Sequence, residues 1–382
     1  MMRKLLFVAL LFVPMMSIAQ DTAYVRSVIS RLTAPDMYGR GCGRSGDSIA
    51  AEYLRAEMRA AGLRPLVPNY WQSVYYDVYD IDSCELSING RKYEPYKEFR
   101  VYSAKRYATP ERLKKARHKK QIDNVWYLGV DKLHTYSPVS GDYNRHPYCV
   151  EIVDSLFPRK IKQLNDNIDL IHNSGYKSQN VMGFIKGETD TMIVFTAHYD
   201  HCGTMGREVY FPGAHDNASG VAALLDIARM KAYTNPHYTL VFMLFCGEES
   251  GLKGSMEAAE NPPVDLSKVK LLINIDLFCG GADGLMVFNA NATNTKGWID
   301  RLETINNKWQ LVPNIKRRDN SPNSDHYHFS SHCPAVYILS IGQPYGGYHD
   351  PDDTCERCGL QHYPNNLRLI LAMLGMDFNL DK

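Results

Sequence analysis

Four short runs in the second half of the chain constrain its fold more than anything else. TMIVFTAHYD (191–200), TLVFMLF (239–245), VKLLINIDL (269–277) and CPAVYILS (333–340) are apolar at nearly every position before their polar ends. Successive side chains of a strand point to opposite faces, so a run that is apolar throughout must be covered on both. Helical patterns separate the runs. SGVAALLDIARMKAY (219–233) places Leu224, Leu225 and Ala228 on one face, and NNLRLILAMLGMDF follows the last run. Buried strands alternating with helices predict an α/β fold: a mixed, largely parallel central β-sheet covered by helices on both faces. QNVMGFIKG (179–187) reads as a strand neighbouring TMIVFTAHYD.

Upstream, SGDSIAAEYLRAEMRAAGL (45–63) predicts a helix with Ala50, Leu54, Met58 and Ala61 on one stripe. Asp47 or Ser48 is positioned to cap its start and Gly62 to close it. YWQSVYYDVYDIDSCELSING (70–90) alternates and predicts strands ending at an Asn-Gly turn. From about 95 to 175 the signals are mixed. PERLKKARHKKQ is a basic surface stretch, NVWYLGV a strand, and VEIVDSLFPRKIKQLNDNIDLIHN shows helical periodicity broken at Pro158. The expected organisation is a signal peptide at 1–19, the N-terminal part of the main domain at 20–95, an inserted subdomain or lid at 96–177, and a core at 178–382.

The first residues supply the compartment. Arg3 and Lys4 precede an apolar run, Leu5 to Met16, too short to span a bilayer, and Ser17-Ile18-Ala19 resembles a small-residue cleavage site. The expectation is export to the periplasm or beyond, with no stable membrane anchor after cleavage; an uncleaved anchor is the rival reading. The first cysteine is Cys42, which argues against a lipid anchor. Lys+Arg (43) and Asp+Glu (42) balance, so no nucleic-acid partner is expected. Nine cysteines in an oxidising compartment permit disulfides and leave one over. Cys355 and Cys358 lack the second pair a zinc knuckle needs, and read as a local disulfide or plain thiols. Nothing in the sequence fixes the oligomeric state.

Polar residues gather where the apolar runs stop. IVFTAHYD ends in His198 and Asp200, LVFMLFCGEES in Glu248 and Glu249, and LLINIDL in Asp276. FPGAHDNASG presents Asp216 just before a helix, and YGGYHDPDDT carries His349 beyond the last strand. In open α/β sheets ligands bind at the carboxyl ends of the strands. Crowded carboxylates repel unless a cation compensates them, and imidazole mixed with carboxylate suits zinc better than magnesium or calcium. Any one of these residues alone would read as a cap or a loop residue. Their joint placement points to a metal.

The series TAHYDHCG, GAHDNASG, FCGEESGLKGS, INIDL, SDHYHF and YHDPDDT resembles the co-catalytic zinc exopeptidases of the leucyl aminopeptidase and aminopeptidase Y type, over roughly 25–78 and 178–375. The resemblance implies two zinc ions. His198 and Asp276 would hold one, Glu249 and His349 the other, and Asp216 would bridge them. Asp200 would fix the His198 tautomer, and Glu248 would be the general base for hydrolysis of peptide substrates from the N-terminus. Ser324, Asp325 and His326 would supply an oxyanion donor or serve as loop scaffolding, and Tyr345 and Tyr348 would line the rim and suit a neutral or apolar first residue. A glutaminyl cyclase with one zinc is the alternative on the same fold. A carboxypeptidase would need a basic pocket, for which Arg317, Arg318 and Arg357 are the candidates, and a non-catalytic module would lack ligands that this chain retains.

Overall fold

The computed structural model describes residues 21–102, 110–123, 125–135 and 148–376; the expected signal segment lies outside them. The strands that build the main sheet are β1 (Trp71–Ile88), β2 (Leu164–Ile185), β3 (Thr189–His198), β4 (Tyr238–Phe245), β5 (Val269–Ile275), β6 (Gly284–Phe288) and β7 (Ala335–Ile341). They lie in the order β1-β2-β4-β3-β5-β7-β6, with short strands at both edges. β4, β3, β5 and β7 run parallel, whereas β1, β2 and β6 pair antiparallel to their neighbours. The helices are α1 (Thr22–Leu32), α2 (Gly46–Ala60), α3 (Ser219–Lys231), α4 (Lys253–Glu260), α5 (Lys296–Trp309) and α6 (Tyr363–Met373).

Alternate residues of the parallel strands reach two different cores, as runs apolar on both faces require. Ile193, Phe195, Leu240, Phe242, Leu271 and Ile273 pack with α1, α2, α3 and α6. Met192, Val194, Val241, Met243 and Phe245 pack with Ala258 and Ala259 of α4 and with Phe329. Each such side chain contributes about 1.5–3 kcal/mol on burial. The helices thus cover both faces of a mixed α/β sheet, as predicted.

One expected adjacency is wrong. β2 and β3 are not neighbours, because β4 lies between them, pairing Phe242 with Gly183 on one side and with Phe195 on the other. The link 186–188 resembles a hairpin in sequence yet spans two strand spacings across the start of β4, where a Cβ on Gly187 would sit 2.3 Å from the Tyr238 carbonyl oxygen. β4 takes the inner position because it is apolar on both faces.

Three further readings are corrected. The segment 150–173 is not helical: Cys149–Val153 is a strand, and β2 begins at Leu164. LNDNIDL alternates with period two and pairs with β1, which overrides the weaker helical pattern. Asp47 does not cap α2. Ser45, with a positive φ of 59°, occupies the cap position, and the buried Asp47 carboxylate accepts hydrogen bonds from the hydroxyls of Tyr176 (2.7 Å) and Ser178 (2.6 Å) on β2. Gly62, with φ of 83°, does close the helix. Cys358 pairs with Cys279, 79 residues away, leaving Cys355 a free thiol rather than its partner.

A second, four-stranded sheet is built from Phe99–Tyr102, His118–Ile122, Val125–Val130 and Cys149–Val153. Phe99, Val101, Tyr127, Val150 and Ile152 pack on Ile81, Leu86 and Ile88 of β1 and on Cys202, Met205 and Phe211. The small sheet therefore backs the loop that follows β3. Among the described residues no helix is long and apolar enough to cross a membrane.

Candidate metal centre

Parallel strands end at one edge, and that edge is where the acids and imidazoles meet. His198 is the last residue of β3 and lies opposite Phe245, the last of β4, so Glu248 and Glu249 emerge just beyond it. Asp276 follows β5, Asp216 lies in the loop before α3, and His349 in the loop after β7.

Two groups form around Asp216. On one side His198 Nε2 lies 3.2 Å from Asp276 Oδ1 and 3.3 Å from Asp216 Oδ1. On the other, His349 Nε2 lies 3.2 Å from Asp216 Oδ2 and 3.1 Å from Glu249 Oε1. Each oxygen of Asp216 thus faces a different imidazole. Glu248 belongs to the first group: ligand atoms of His198, Glu248 and Asp276 all lie within 4.8 Å of one another. His201, Cys202, Glu249 and His349 form a second set by the same measure.

The loops are held by bonds from behind. The Asp200 carboxylate accepts the backbone N–H of Glu248 (3.1 Å) and of Glu249 (3.2 Å). It lies 3.8 Å from His198 Nδ1, whereas the Asp200 backbone carbonyl is 3.2 Å from that nitrogen. Asp200 thus steadies the double-glutamate turn through its carboxylate and His198 through its main chain. Ser324 donates to Asp276 Oδ2 (2.7 Å) and accepts from Asn274 (2.7 Å), which in turn accepts from Thr196 (2.8 Å). Asp353 accepts the N–H groups of His215 (2.9 Å) and Asp216 (3.1 Å). The fully buried Arg40 donates to carbonyls of Tyr199, Leu32, Pro212, Gly213 and Asp216, tying two of the loops together.

The electrostatics follow from burial of many acids together. Burial, reinforced by Glu249, Asp325 and Asp276, pushes the Glu248 carboxyl well above the usual range against the pull of His198. Burial also raises Glu249, but His349 and His201 outweigh it and bring it down to about 2. Burial acts against charge on His198 and His349 too; Asp276 and Glu248 reverse it for His198, and Cys202, Glu249 and Asp216 for His349, so both rings titrate well above an ordinary imidazole. Asp325 and Asp353 are pushed up to about 7, chiefly by burial. Arg40 is the buried cation among these acids. A divalent cation fits the donor set: imidazole and carboxylate atoms about a metal's ligand spacing apart, with excess negative charge.

The remaining expected site residues are placed as follows. Ser324, Asp325 and His326 are all fully buried, with the Ser324 hydroxyl engaged by Asp276. Tyr348 is 54% exposed and stacks on His349 with centroids 3.9 Å apart. Tyr345 stacks on His215 instead and lines a separate surface cleft of about 830 Å³ bordered by none of the five expected ligands. Arg317 is held by Glu303 and Asp300, and Arg357 by Asp352. Sequence reasoning assigned nothing to Arg40, His201 or Cys202. HYDHCG carried a signal for the last two, a second imidazole and a thiol beside the first, whereas Arg40 had none beyond its Gly-rich setting.

Comparison with known proteins agrees with this geometry. The family model described as peptidase family M28 matches residues 180–374. A probable zinc metalloprotease of Pyricularia oryzae is 38% identical over 105 residues, 26% of this chain and 21% of that protein. A probable leucine aminopeptidase of Trichophyton verrucosum is 28% identical over 219 residues, 53% of this chain and 58% of that one. The matched region thus spans less than two thirds of either relative. Among solved structures, BSAP, a zinc aminopeptidase from Bacillus subtilis, superposes with a TM-score of 0.67 at 17% identity, covering 95% of this chain and 97% of that one. A Bacteroides thetaiotaomicron glutaminyl cyclase bound to N-acetylhistamine superposes with a TM-score of 0.57 at 14% identity over 94% of this chain and 99% of that one. At these identities the superpositions establish the fold.

Proposed function

Because this chain belongs to peptidase family M28, we propose that it is a zinc-dependent aminopeptidase that removes N-terminal residues from peptides. The observation that carries the reading is Asp216, whose two oxygens face His198 at 3.3 Å and His349 at 3.2 Å. A carboxylate shared between two imidazole groups suits a bridge between two ions. His198, Asp276 and Asp216 would hold one zinc, and Glu249, His349 and Asp216 the other. Bound zinc supplies Lewis acidity that acidifies water and polarises a carbonyl oxygen. The protein's own groups do the rest.

Glu248 takes the proton of the attacking water at its carboxylate and returns it to the leaving amine, a role worth about 10²–10⁴ in rate. Its place in the group with His198 and Asp276 supports that role. Asp200 holds Glu248 and Glu249 in register through their N–H groups, so that one glutamate faces the metal and the other the water. Ser324 orients Asp276, and Asp353 with Arg40 fixes the backbone of Asp216. Tyr348, exposed beside His349, forms a rim suited to a neutral or apolar first residue. The expected insert of 96–177 is proposed as a unit beside this rim only up to Leu164, where β2 of the main sheet begins. Tyr96 supports that reading, since it donates to Asp350, next to His349, at 2.5 Å. Export is proposed as well, on the N-terminal pattern and on the Cys279–Cys358 disulfide, which an oxidising compartment favours.

The test measures zinc per chain by mass spectrometry, with hydrolysis of aminoacyl p-nitroanilides and cyclisation of a glutaminyl peptide followed in parallel. The proposal expects two zinc ions, amine release that stops on chelation and returns with zinc, and no cyclised product. One zinc with cyclisation would replace it with the cyclase reading. A metal-free, inactive native protein would end both.

A further inference from the structure

The donors around Glu249 exceed those already assigned, and we infer that His201 and Cys202 join Glu249, His349 and the bridging Asp216 in a sulfur-containing zinc site there. The inference rests on the metal centre proposed above. His201 Nδ1 lies 2.9 Å from Glu249 Oε1, His349 Nε2 lies 3.1 Å from the same oxygen, and Cys202 Sγ is 3.7 Å from it. Zinc bound at about 2.0–2.3 Å in a tetrahedron sets its ligands about 3.3–3.7 Å apart. The observed separations match that figure to within a few tenths of an ångström. Magnesium and calcium would take neither the sulfur nor two imidazoles.

His201 itself supplies the second observation. The residue is 2% exposed, and among the described residues neither of its ring nitrogens makes a hydrogen bond. Its Nδ1 approaches Glu249 Oε1 at 2.9 Å, an ion-pair distance, without meeting hydrogen-bond geometry. A buried polar atom left without a partner destabilises the fold. Ligation of a cation between Nδ1 and Oε1 removes that cost at Nδ1. The ring is seated from behind by a position that needs glycine: a Cβ on Gly213 would lie 2.5 Å from His201 Cδ2.

The two ions of the centre then differ in kind. The one at Glu249 gains a second imidazole and a thiolate beside Glu249, His349 and the bridging Asp216, and is held by more protein donors than its neighbour. The one at His198 and Asp276, beside Glu248, keeps positions open for water and substrate. On binding, Cys202 loses its thiol proton to solvent and the thiolate joins the metal. Chelation should therefore remove the ion at His198 and Asp276 first, taking activity with it, and leave the sulfur-bound ion in place.

Metal-stripped wild-type protein titrated with Co2+ tests this without reference to turnover. The first equivalent is expected to produce an intense near-ultraviolet thiolate-to-cobalt band that is lost in Cys202→Ser. X-ray absorption of the zinc form should show a sulfur scatterer at about 2.3 Å. His201→Gln should retain the band but weaken the tighter site by about 100-fold or more in chelator competition, leaving the weaker site within about threefold. Two bound ions with neither band nor sulfur scatterer in the wild type would overturn the inference while leaving the metal centre standing. Unchanged affinity in His201→Gln would remove His201 from the ligand set. Failure of the wild type to take up any metal would refute the centre, and this inference with it.

Discussion

Asp200→Asn separates the two jobs that this acid combines. In the native turn its carboxylate accepts one N–H from Glu248 at 3.1 Å and one from Glu249 at 3.2 Å. An asparagine of the same shape retains one acceptor oxygen, and its amide NH2 faces the other N–H, donor against donor. One hydrogen bond to a charged group is lost, worth about 1.5–3 kcal/mol, and a buried donor is left unpaired. At 1.4 kcal/mol per factor of ten, the turn is expected to shift enough to weaken the Glu249 metal site, or to slow turnover through Glu248, by about 10–150-fold. Chelator competition reads the first effect and saturating-substrate rates with excess zinc the second. His198 should keep its orientation, since the Asp200 main-chain carbonyl, 3.2 Å from Nδ1, is untouched. If Asp200→Asn bound zinc and turned over within about threefold of the wild type, the carboxylate would not be what holds the two glutamates apart.

Three other outcomes follow from the same geometry. Glu248→Gln should keep both metals and lose about 10²–10⁴ in turnover, whereas Glu249→Ala should lose a metal; near-native turnover of Glu248→Gln would disprove its role as base. Zinc uptake should release protons near pH 7, because the metal-free rings of His198 and His349 hold theirs well above an ordinary imidazole and must give them up to bind. Apparent affinity therefore rises with pH until those rings are neutral, and calorimetry in buffers of different ionisation enthalpy would expose a pH-independent uptake that contradicts this. Phe242→Ala, in the middle of β4 and stacked on Phe195 with centroids 5.6 Å apart, should cost about 3–5 kcal/mol in urea unfolding; a loss under about 1 kcal/mol would be incompatible with its central place in the sheet.

The candidate site was largely legible because strand ends are legible. A run apolar on both faces must lie inside a sheet, its polar terminus must surface at the sheet's edge, and parallel strands bring their carboxyl ends to the same edge. His198, Glu248, Glu249 and Asp276 follow from that directly, and Asp216 and His349 from the loops beside the same edge; only the division of roles among them needed the family resemblance. Strand order was less legible. The 186–188 link looks like a hairpin because sequence separation is the only distance a sequence contains, and the insertion of β4 depends on residues fifty positions later. Segment 150–173 misled for a related reason: its partner strand, β1, lies far upstream, and pairing with it overrides local periodicity.

By itself the sequence determined the layered α/β architecture, the edge at which chemistry collects and the kinds of donor gathered there, because burial and strand alternation are local properties of a run of residues. Only the tertiary structure decided which donors come within reach of one another. Arg40 beneath the loops, Asp200 turned toward the glutamate backbone, Cys358 joined to Cys279 and His201 within 2.9 Å of Glu249 all depend on where distant loops cross. Bonds and ligand spacings of about 3 Å are set by packing in three dimensions, and no spacing along the chain encodes them.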